Sequence, residues 1–64
     1  MNKYDIDGIT YEAKNEYDAT KKAFKTAESV GMAEYLGEDK WNYNVKFSHG
    51  KATVLVVRLY PISQ

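Results

Sequence analysis

Residues 15–31, N-E-Y-D-A-T-K-K-A-F-K-T-A-E-S-V-G, constrain the fold more than any other stretch. At 100° per residue, Ala19, Ala23, Ala27 and Val30 share one side. Thr20 and Phe24 widen that stripe, and Tyr17 lies at its edge. Asp18, Lys21, Lys22, Lys25, Glu28 and Ser29 occupy the opposite face. Asn15 can accept from the free amide of Asp18 as an N-cap. Glu16 and Asp18 place acid in the first turn, where the helix dipole favours it. Past Gly31 the period fails, since Glu34 would fall on the apolar stripe and Met32 and Leu36 on the charged face. The spacing predicts one helix over 15–31, ended by glycine at C′. Its alanine-rich side suits close packing on a sheet.

Hairpins are expected on both sides of this helix. Asp7-Gly8 is a type I′ turn signal. A hairpin closed there pairs Ile6 with Ile9 and Tyr4 with Tyr11 on one face. The same register sets Asp5 against Thr10 and Lys3 against Glu12 on the other. Residues 32–40 read as a packed connection, with a helical turn over 33–36 ended by Gly37 and Tyr35 and Leu36 capping one end of the core. In residues 41–47, Trp41, Tyr43, Val45 and Phe47 alternate with Asn42, Asn44 and Lys46, a half-buried strand with the aromatics inward.

After a turn at 48–50, residues 52–60 form a last strand, stopped by Pro61. It is apolar on both faces, so its register depends on the loop. A three-residue loop with Gly50 in the left-handed region turns Leu55, Val57 and Leu59 inward. An even loop turns Val54, Val56 and Arg58 inward. The first is preferred here, because facing a charge toward the core is costly.

With 64 residues and no cysteine, the chain is one domain, residues 1–64, stabilised by one regular core. Nine basic and nine acidic side chains give no net charge, which argues against nucleic acid as the main partner. Residues 41–64 nonetheless hold Lys46, Lys51 and Arg58 and no acid. No apolar run approaches the roughly 20 residues of a membrane span, and no export signal is present. A cytoplasmic protein is expected.

The pattern Y-D-A-T-K-K-A-F-K-T-A-E at 17–28, with W-N-Y-N-V at 41–45, resembles the β-grasp immunoglobulin-binding domains of proteins L and G. The resemblance implies an α+β fold of ββαββ order. Its four-stranded mixed sheet would have the first and last strands central and the helix across one face. It also implies a light-chain surface on strand two and the adjoining helix, at Thr10, Glu12 and Tyr17. A-K-N-E-Y-D-A-T-K-K-A at 13–23 and V-V-R-L-Y-P at 56–61 are similar to small phage proteins that inhibit host machinery, such as the phage inhibitor of bacterial RNA polymerase.

No catalytic, cofactor or metal motif is present. His49 is the single histidine, set in a turn. Asp5 and Asp7 are explained by an outward strand position and a turn. The expectation is a non-enzymatic protein-binding module without cofactor, monomeric or weakly homodimeric, that occupies a surface of a larger host complex. An immunoglobulin binder is one alternative. A single-strand nucleic-acid binder stacking on Trp41, Tyr43 and Phe47 is another, which needs those rings to face solvent. The expected partner surface is the outer face of the last strand, Val54, Val56, Arg58 and Tyr60, rimmed by Asn42 and Asn44.

Overall fold

A computed structural model of the chain describes residues 1–59. The elements are β1 (Asn2–Ile6), β2 (Ile9–Ala13), α1 (Glu16–Ala23), β3 (Ser29–Gly37), β4 (Lys40–Phe47) and β5 (Gly50–Leu59). They build a small α+β fold with one helix on a five-stranded antiparallel sheet of order β2-β1-β5-β4-β3.

The first hairpin has the expected register, with Ile6 opposite Ile9 and Tyr4 opposite Tyr11. Asp7 and Gly8 sit at φ 55° and 81°, the positive values a type I′ turn needs. Asn15 caps the helix, its Oδ1 accepting from the Asp18 amide at 2.8 Å. Thr20 is fully buried, and its hydroxyl donates to the Glu16 carbonyl at 2.8 Å.

The helix is shorter than expected. It ends at Ala23, with Phe24 leaving helical geometry at φ −124°, ψ 69°. The chain then turns, and the Glu28 amide donates to the Lys46 carbonyl at 2.7 Å. Ser29–Gly37 continues as a strand along β4, in place of a helix end and a packed connection. The physical reason is hydrogen bonding. Without β3, one side of β4 would carry a full row of unpaired amides and carbonyls. A helical residue 25–31 segment could offer the core only Ala27 and Val30. As a strand, the same chain satisfies that row and sets Val30 against Val45.

The extra strand also corrects the sheet from four mixed strands to five antiparallel ones. β1 and β5 are neighbours, as expected, but run antiparallel. Each hairpin reverses the chain, so one added strand inverts the direction of the last. A tight turn at Glu38-Asp39, both at positive φ (56° and 61°), joins β3 to β4.

The loop between β4 and β5 holds only Ser48-His49, since Phe47 is paired with Gly50. That even loop fixes the register against the preferred expectation. Val56 is fully buried on the helix face, Val54 packs beside it, and Leu55 is exposed on the other side. The core comprises Tyr4, Ile6, Ala13, Ala19, Tyr43 and Val56, with Trp41, Phe24 and Val30 packed against it. Phe24 meets Phe47 edge-on at 6.1 Å between ring centres.

Candidate functional site

An eight-residue helix is about 12 Å long and can cover only part of one sheet face. Among the described residues, no helix lies on the other face. The strand registers assign it Thr10 and Glu12 from β2, Lys3 and Asp5 from β1, and Leu55 and Val57 from β5. Asn42, Asn44 and Lys46 come from β4. Leu55 is 47% exposed, and Val57 and Leu59 are half-buried. The Thr53 hydroxyl donates to Asn44 Oδ1 at 3.1 Å, holding one part of the polar rim in place. The result is an apolar strip on the central strand, with Asn42 and Lys40 beside Leu55 and Val57 on the β4 side and the Asp5 and Lys3 charges beside Val57 and Leu59 on the β1 side.

The expected site residues divide between the two faces. Asn42 and Asn44 lie on the open face as expected. Val54, Val56 and Arg58 do not: the two-residue loop turns all three to the helix side. Tyr60 lies outside the described residues. Leu55 and Val57 take the central places that Val54 and Val56 were expected to fill. The missed signal is the loop length alone, because the strand offers apolar residues to both faces.

The desolvation cost that argued against this register is offset at Arg58 by Asp39. It stands opposite the β3–β4 turn, where its amide donates to the Asp39 carbonyl at 2.8 Å. Its guanidinium pairs with the Asp39 carboxylate at 3.0 Å, with the arginine side chain 37% exposed. The charge is therefore held, partly exposed, against the carboxylate of the β3–β4 turn.

The covered face has a different chemistry. Tyr43 is buried, and this desolvation, reinforced by the Glu16 carboxylate and by Tyr4 and Tyr17, pushes its phenol up to about 12. Trp41 sits between Tyr4 and Tyr35, at 6.3 and 5.5 Å between ring centres. Tyr43 is closed off by core packing, and Trp41 and Phe47 are half-buried on the helix side. Of the three rings that the nucleic-acid alternative invokes, Tyr43 is therefore closed to a stacking base. Beside Trp41, toward the β3 edge, Met32, Tyr35 and Leu36 are exposed.

Among the described residues, no group of three or more His, Cys, Asp or Glu side chains could hold a metal ion. No helix among them is long and apolar enough to cross a membrane. Comparison of the chain with protein-family models, with curated proteins and with solved structures finds no match.

Proposed function

We propose that the protein is a non-enzymatic binding module that docks its open sheet face onto a larger protein. One observation carries this reading. The central strand places Leu55, Val57 and Leu59 on a face that no helix among the described residues covers, near Asn42 and Asn44. An apolar centre with a polar rim is the make-up of many protein interfaces. Open antiparallel sheet faces are commonly polar, with the apolar alternation reserved for the covered side. The mode of action implied by the resemblance to small phage inhibitors, occupation of a surface on a host complex, fits this geometry.

The test is capture from lysate of the source cells or their host by the wild-type protein and by two double variants. Leu55→Asp with Val57→Asp should abolish recovery of a stoichiometric protein. Met32→Asp with Tyr35→Asp, on the other face, should leave it intact. The reverse pattern would place docking on the β3 edge and contradict this reading. Titration with immunoglobulin light chain separates the remaining alternative, and micromolar or tighter binding would favour it.

A further inference from the structure

β3, β4 and β5 run on past the first hairpin. Ile6 opposite Val56 is the last rung between β1 and β5, whereas β5 extends back to Gly50. At this extension lies a shallow basin of about 620 Å³, walled by the open-face residues Ser29, Gly31, Asn44, Lys46, Lys51 and Thr53 and by Val30, Met32, Val45 and Ala52 that alternate with them.

Two choices in the basin are unfavourable for an isolated sheet. Lys46 and Lys51 are direct cross-strand partners. Like charges placed opposite one another destabilise an antiparallel pair. No acidic side chain lines the basin to offset them. Gly31 sits within β3, opposite Asn44. Glycine inside a strand weakens it and often marks close approach by a ligand or another backbone. Its φ is not among the positive ones, and a Cβ added there would meet nothing within 4 Å. Neither backbone conformation nor internal packing calls for glycine at this position.

We propose that the basin receives an acidic segment of a protein, whose carboxylates pair with Lys46 and Lys51 while its backbone passes over Gly31. This deepens the docking reading above and rests on it. Leu55 follows Thr53 on the same face, so the basin opens onto the apolar strip. An occupant that spans both carries acids followed by an apolar residue. Single-stranded nucleic acid would supply negative charge, but its affinity depends on rings for stacking. The open-face registers of the five strands hold no aromatic residue.

The test uses amide NMR of the intact, folded protein. The probes are a blocked octapeptide of alternating Glu and Leu, its Gln-for-Glu counterpart, oligothymidylate and inorganic phosphate. The Glu peptide should shift the amides of Ser29, Gly31, Lys46 and Lys51, and the Gln peptide should not. Lys46→Glu with Lys51→Glu should weaken binding at least tenfold with amide dispersion retained. Gly31→Val, which has room within the chain, should weaken it by blocking approach. An absent response, an equal response to phosphate or oligothymidylate, or shifts centred on Lys14, Lys21, Lys22 and Lys25 would overturn the proposal. If the basin fails while Leu55→Asp with Val57→Asp still abolishes capture, only the acidic-segment assignment falls. If both fail, the docking reading falls with it.

Discussion

The two faces of β5 make the most instructive comparison in the molecule. Val56 and Leu55 are neighbours in sequence and alike in chemistry. One is fully buried under the helix, and the other is nearly half exposed on the open side. Hydrophobicity cannot separate them. Their fates are set by the parity of a two-residue loop at Ser48-His49, because a shift of one residue turns every side chain to the opposite face. A strand apolar on both sides can thus support a core on one face and offer a surface on the other.

Substitutions that treat the faces differently give the largest contrast. Val56→Asp buries an unpaired charge, at a cost of about 3–5 kcal/mol. Domains of this size seldom have more than about 3–5 kcal/mol to lose. The variant should be unfolded by circular dichroism at 25 °C. Ala19 is fully buried against the sheet. Ala19→Leu should overpack that contact and cost about 1–3 kcal/mol in urea unfolding. Asn15→Ala removes the helix cap and should cost about 1 kcal/mol by the same measurement. Leu55→Asp, on the open face, should change stability by no more than about 0.5 kcal/mol. Equal losses at positions 55 and 56 would erase the distinction between the faces.

The covered face also carries a pH signature. Tyr43 has its phenol raised from the ordinary 10 to about 12 by burial first and the Glu16 carboxylate second. A raised acid favours the neutral form in the folded state. Its contribution is fully present below pH 10 and is lost as pH rises from 10 toward 12. Stability should fall across that window in urea titrations, and Tyr43→Phe should flatten the decline.

Much of this architecture is legible in the sequence where independent signals coincide. The first hairpin combines a turn dipeptide with sensible pairing on both faces. Asn15 is a cap followed by first-turn acids. Trp41 to Phe47 alternates without interruption. Ser29–Gly37 carries no such agreement. Two register shifts, between Met32 and Glu34 and between Tyr35 and Gly37, break its period of two. Ala27 and Val30 meanwhile continue the helical spacing of Ala19 and Ala23. Physical competition for the β4 edge, which is non-local, decides the outcome.

The orientation of the candidate surface residues was half legible for a related reason. Asn42 and Asn44 belong to a strand with one apolar face, so their orientation follows from alternation. Val54 and Val56 belong to a strand with two. The cost of turning Arg58 to the helix side depends on the Asp39 partner from the β3–β4 turn, which is non-local and has no mark in the strand itself.

The division of β5 between its faces underlies both functional readings, and methyl NOE spectroscopy tests it most directly. Cross-peaks are expected from the Val56 methyls to Ala19 and Ile6 in the core, and none from the Leu55 or Val57 methyls to α1. Cross-peaks from Leu55 and Val57 to the helix, with Val56 silent, would mean the opposite register and would contradict the assignment of the open face.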